Sequence, residues 1–158
     1  MRKYFKFKNI KKLVLSKNTP AINLTYLSSP MTVMEIGVRK KPWKILHGMP
    51  QKIRMICVEP DEGERATLTE QLKRTPWYSW EIIPKALGGT DTRTLYVTQQ
   101  PGLSSLYRPN LSLIKQYQDT APYTIVHEAQ VPVVTLDSLA EAYNFKDGID
   151  LLKVDTQG

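Results

Sequence analysis

Three short apolar runs, each closing on an acid, constrain the fold of this 158-residue chain more than any other feature. They are residues 32–37 (TVMEIG), 54–59 (RMICVE) and 149–155 (IDLLKVD). Each is too short for a buried helix and too continuously apolar for a half-exposed strand. Runs of this kind belong to strands covered on both faces, the condition of a parallel sheet packed between helices.

The intervening segments support that frame. Asp61 and Glu64 have capping-box spacing and open a predicted helix that runs to about residue 74, with Ala66, Leu68 and Leu72 on one face. Pro76 stops it. Residues 80–85 (WEIIPK) form a third strand, which Pro84 confines to an edge, a strand end or a bulge. Ala86-Leu87-Gly88-Gly89 is expected to turn, and residues 92–98 alternate like a half-exposed strand. A long loop follows over 99–122, with a short helix expected at 111–117. One or two strands fall in 124–136, Ser138 is expected to cap a helix through Ala142 and Tyr143, and Asp147-Gly148 turns the chain. Alternation of this kind predicts an α/β sheet of mainly parallel strands.

In such sheets ligands bind at the carboxyl ends of the strands, so Glu35, Glu59 and Asp155 are expected to converge there. A strand ending close to Gly158 lacks the helix that would cover it. The expectation is therefore a sheet incomplete at its C-terminal end. Residues 1–30 would be a basic arm and connector, and 31–158 the N-terminal part of a domain that alone is poorly stable and inactive.

Charge narrows the function. The chain carries a formal +7, but residues 1–20 hold seven Lys and Arg with no acid, and the rest holds 15 of each sign. A neutral body lacks the basic face that electrostatic nucleic-acid binding needs, so no nucleic acid is expected as a partner. In the arm, apolar residues from Tyr4 to Leu15 interleave with the lysines. The preferred reading packs them on the domain with the lysines in water. The other is a weak contact of residues 1–20 with an anionic membrane surface. Lys11 and Lys12 break the only signal-like apolar run, so the default location is cytoplasmic. Cys57 is the single cysteine, and His47 and His127 stand far apart, so no metal is expected.

Several pieces together resemble the FkbM-type methyltransferases, class I enzymes dependent on S-adenosylmethionine. They are Val58-Glu59-Pro60-Asp61, Ile83-Pro84-Lys85-Ala86-Leu87-Gly88, Gly102-Leu103-Ser104-Ser105-Leu106, Thr135-Leu136-Asp137 and Ile149-Asp150-Leu151-Leu152-Lys153-Val154-Asp155-Thr156-Gln157-Gly158. Their order and spacing match over residues 32–158. The resemblance implies a Rossmann-like sheet, S-adenosylmethionine as cofactor and methyl transfer to a hydroxyl of a small-molecule acceptor, a sugar or secondary metabolite.

It also implies roles. Glu35 and Gly37 would start the cofactor turn, Glu59 would hold the ribose hydroxyls, and Ala86 and Leu87 would lie beside the adenine. Ser104, Ser105 and Asp137 would lie near the cofactor or substrate, and Asp155 would face the methyl donor and acceptor. The family pattern has a second glycine about four residues after the first. This chain has Val38-Arg39-Lys40-Lys41-Pro42-Trp43 there, which favours the rival reading of a non-catalytic binding module on the same scaffold.

Overall fold

The computed structural model describes residues 27–157 except 45, 47, 48, 144, 146 and 147. The basic arm at 1–20, with its membrane-contact reading, lies outside these residues, as do His47, Asp147 and Gly158.

The apolar runs form a four-stranded parallel sheet. Its members are β1 (Met31–Ile36), β2 (Ile53–Val58), β3 (Ser79–Ile83) and β7 (Leu151–Val154), in the order β3-β2-β1-β7. Register runs Met31↔Ile53 through Ile36↔Val58, and Val33↔Leu151 through Ile36↔Val154. β3 sits at the edge and ends just before Pro84, where the missing N–H costs the ladder nothing. This is the Rossmann-like, mainly parallel α/β architecture expected.

Strand period sorts the core. Val33, Met55 and Cys57 face helix α1 (Glu62–Lys73) and its Leu68 and Leu72, while Met34, Ile36, Ile56 and Val58 face Leu139 of α3 (Leu136–Ala142). These side chains are almost wholly removed from water. Burial on both faces is why β1 and β2 are continuously apolar. β7, expected to be buried in the same way, instead leaves Leu152 and Val154 exposed, because among the described residues no helix covers that face of this edge strand.

A second layer joins β4 (Ala86–Leu87), β6 (Ile125–Val134) and β5 (Thr92–Thr98) in the order β4-β6-β5. Ala86 and Leu87, expected to turn, instead pair with Val133 and Val134 as a two-residue parallel strand. The region 124–136 holds one long strand. Within the loop, a helix α2 covers only Leu111–Ile114, shorter than the 111–117 expected. Ser138 does not cap α3. Thr135 does, one turn earlier, and its side chain accepts the Ser138 N–H at 3.1 Å.

Helix α1 begins as expected, with Asp61 Oδ1 accepting the Glu64 N–H at 2.8 Å. The return bond of the capping box is reassigned. Glu59 Oε1 accepts the Asp61 N–H at 2.9 Å, and Glu64 Oε2 accepts the Lys40 N–H at 3.1 Å. Asp61→Ala removes the cap and is expected to cost about 1 kcal/mol, a fall of a few degrees in Tm. An unchanged melt would show that the cap contributes nothing.

Candidate functional site

The site lies at the carboxyl ends of β1, β2 and β7. Gly37 follows β1 with φ +75°, a left-handed conformation that side chains disfavour. Its N–H donates to Val58 O at 2.9 Å, and the Asp155 N–H donates to Ile36 O at 3.0 Å. A Cβ on Gly37 would collide with the backbone carbonyl of Asp155. The glycine therefore lets the ends of β1 and β7 close on each other.

Glu59 follows β2. Its N–H donates to Ile83 O at 3.1 Å, and its carboxylate is 5 % exposed. Burial pushes its pKa up to about 7. The Asp61 N–H pulls the other way, the Asp61 and Glu64 charges add to the rise, and Arg65 offsets part of it. A carboxylate half-ionised near neutrality gains when a ligand donates hydrogen bonds to its charged form.

Glu59 lies on the wall of a cavity of about 140 Å³. Ile36, Val58, Ala86, Leu87, Leu95 and Leu106 supply apolar wall, and Asp61 and Asp155 add carboxylates. Gly37, Ser104 and Ser105 also line it. Both serine hydroxyls serve the backbone: Ser104 Oγ accepts the Thr98 N–H at 3.1 Å, and Ser105 Oγ accepts the Tyr107 N–H at 3.0 Å. Ser105 also donates to Gln157 O, tying the loop to the chain beyond β7. Asp137 is in the first turn of α3 and lines neither this cavity nor its neighbour.

Glu35 lies outside the first cavity. It is inside β1, 1 % exposed, and it lines an adjoining groove of about 700 Å³ that shares Gly37, Arg39 and Asp155 with the cavity. Both its oxygens are engaged: Oε1 lies 3.3 Å from Lys153 Nζ, and Oε2 accepts the Trp43 N–H at 2.8 Å. Lys153 Nζ reaches Asp155 Oδ2 at 3.2 Å as well. Burial opposes the ammonium, but the Asp155 and Glu35 carboxylates outweigh it and hold its pKa above the usual lysine value. Lys153 thus links the buried acid to the exposed one at the cavity mouth.

Sequence reasoning missed Lys153 and Arg39. The first sits beside Glu35 only through the β1–β7 register. The second lies across Gly102, where a Cβ would occupy the space of its guanidinium. His127 is exposed on β6, and Cys57 is buried, its thiol pKa raised by burial and by the Glu35 and Glu59 charges.

The residues present fit a nucleoside-type group. The apolar walls could take a flat base, the buried Glu59 carboxylate could accept vicinal hydroxyls, and Gly37 lets β1 and β7 close so that Asp155 stands at the same cavity. Fold and site together define a Rossmann-like α/β protein with a cavity at the carboxyl ends of its parallel sheet, the place where sheets of this class bind ligands. The model of the methyltransferase FkbM domain matches residues 41–158, and the chain belongs to that family. β1, with Glu35 and Gly37, precedes the matched segment. No curated protein and no solved structure gives a significant match.

Proposed function

We propose that the protein is an S-adenosylmethionine-dependent methyltransferase acting on a hydroxyl oxygen of a small molecule, a sugar or a secondary metabolite. The observation that carries this reading is the buried Glu59 carboxylate on the wall of an apolar cavity in a chain of the FkbM methyltransferase family.

When bound, S-adenosylmethionine supplies a sulfonium methyl already activated for in-line displacement. The protein's part is to bind, orient and exclude water. Glu59 would accept the two ribose hydroxyls, and Ala86 and Leu87 would pack beside the base. Gly37 would hold the ends of β1 and β7 together, and with them Asp155, at the cavity. Asp155, steadied by Lys153, would accept a hydrogen bond from the acceptor hydroxyl and take its proton as the oxygen is methylated.

Calorimetry of the chain with S-adenosylmethionine and S-adenosylhomocysteine tests the proposal. Saturable binding with a Kd in the micromolar range is expected. A folded chain that shows no heat at millimolar cofactor would reject it.

A non-catalytic binding module is the second reading, favoured by the missing second glycine. Against it, Lys40 takes φ +51°, a left-handed conformation of the kind a glycine would serve there. Cofactor binding without formation of S-adenosylhomocysteine across a panel of hydroxylated acceptors would favour the module.

Among the described residues no helix is long and apolar enough to cross a membrane. A cytoplasmic location goes with the proposed chemistry. Any weak membrane contact of residues 1–20 would be lost from liposome co-sedimentation when they are deleted.

A further inference from the structure

We propose that the open groove beside the Glu59 cavity is an anion site, built by Arg39, Lys40, Lys41 and Lys44 to seat a phosphate or carboxylate group of a small molecule. That this molecule is the methyl acceptor rests on the methyltransferase reading; the anion site itself does not.

Charge is the first support. Beyond residue 20 the chain is neutral, yet four of its 15 remaining cations fall between Arg39 and Lys44, and all four line this one groove. Among the described residues none of the four forms an ion pair. The acids of the groove, Glu35, Glu64 and Asp155, are outnumbered by its five cations, Lys153 included, and each is held by a partner other than these four side chains. Glu35 is held by Lys153 and the Trp43 N–H, Asp155 by Lys153, and Glu64 Oε2 by the Lys40 N–H. The groove therefore keeps a formal excess of two positive charges, five cations against three carboxylates, in a body that is neutral overall.

Anchoring is the second. Lysines that merely solubilise a surface need no fixed backbone. Here the buried Glu35 carboxylate accepts the Trp43 N–H, the Glu64 carboxylate accepts the N–H of Lys40 in its left-handed conformation, and Gly102 clears the space in which the Arg39 guanidinium lies. A non-glycine residue is held left-handed only at an energetic cost. Strain of this kind persists where the surroundings impose it, and it clusters at ligand sites.

Position is the third. Arg39 and Asp155 belong to both the groove and the cavity. A molecule whose anionic end rests on Lys41 and Lys44 would lie alongside Asp155, the proposed acceptor-facing acid. A volume of about 700 Å³ suits a small molecule. The neutral remainder of the body offers no track for a polyanion.

The test titrates the full chain with inorganic pyrophosphate, read by calorimetry and by fluorescence of Trp43, which is 43 % exposed in the groove. Each titration is run with and without saturating S-adenosylhomocysteine. Submillimolar binding is expected, weakening with salt, unaffected by S-adenosylhomocysteine, and reduced at least about tenfold in Lys41→Glu/Lys44→Glu. Both lysines are exposed, so the variant should melt like the parent and bind S-adenosylhomocysteine equally well.

No binding overturns the proposal. So does binding that the double variant leaves unchanged, which would assign it to the basic N-terminal arm. Displacement by S-adenosylhomocysteine also overturns it, because the groove would then hold the cofactor's own carboxylate. Pyrophosphate binding without any S-adenosylhomocysteine binding supports the anion site and sinks the cofactor reading instead.

Discussion

Glu59→Gln is expected to weaken S-adenosylmethionine binding about a hundredfold and, at the same time, to raise thermal stability at neutral pH. The two effects share one cause. The carboxylate is buried, and its pKa stands at about 7 against an ordinary 4.5. Between those values the folded state holds a proton that the unfolded state has lost. Stability is therefore fully present below about pH 4.5 and falls as pH rises through 7, by about 3 kcal/mol in all. Glutamine keeps the shape and can still accept the Asp61 N–H, but never ionises, so that loss disappears. Binding runs oppositely. Ribose hydroxyls donate more strongly to the charged carboxylate, and hydrogen bonds to a charged group are worth about 1.5–3 kcal/mol each. Affinity of the parent should rise from pH 5.5 to about 7.5 and then level, with proton release on binding below pH 7. In the variant, affinity should be low and flat. Melting curves and calorimetry across this range check both slopes. A parent whose affinity ignores pH would remove Glu59 from the cofactor site.

β1 and β2 were legible in the sequence because burial on both faces leaves an uninterrupted apolar signature, whereas the equally apolar β7 has one face exposed at Leu152 and Val154. β1 and β2 fall within one residue of the expected runs, and Thr92–Thr98 agrees at both ends. The elements that differ are those whose identity depends on distant partners. Ala86–Leu87 is too short to show alternation, and only pairing with Val133 and Val134 makes it a strand. At α3 the sequence offers two hydroxyl caps three residues apart. Thr135 and Ser138 bond to each other at 2.8 Å, and the earlier one starts the helix.

At the site, strand ends were the legible part. A parallel strand that stops at an acid puts that acid on the sheet's carboxyl edge, and Glu59 and Asp155 both line the cavity there. Glu35 looked equivalent on paper. It precedes the strand's last residue, however, so its side chain shares the row of Cys57 and Lys153 and is drawn into an ion pair. What no local pattern reveals is contact across the fold. The Lys153 bridge needs strand register, and the placing of Arg39 needs a glycine in a loop far along the chain. The missing second glycine illustrates the same limit, since Glu64 of α1 holds Lys40 in the left-handed turn.

Gly37→Ala is expected to be the most damaging single change in the described sheet. Alanine would meet two penalties. The φ of +75° costs about 1 kcal/mol for any residue with a Cβ. The new Cβ would also strike the Asp155 carbonyl and approach the Thr156 side chain to 3.3 Å. Backbone cannot swing aside as a side chain can. Here it is pinned from both directions, by Gly37 N–H to Val58 O and by Asp155 N–H to Ile36 O. The total should reach about 3 kcal/mol or more, a drop of around 10 °C in Tm for a domain of this size. Relief requires β7 to move away from β1, which would pull Lys153 from Glu35 and shift Asp155, so any fraction still folded should lose methyl transfer. Gly102→Ala is the control. Its Cβ would meet only the end of the Arg39 side chain, which can rotate away, so stability should change by no more than about 0.5 kcal/mol. Similar melting temperatures for the two variants would show that the β1–β7 junction is looser than this geometry. A large difference would establish that the close approach at Gly37 holds the two strand ends, and with them Asp155, in place.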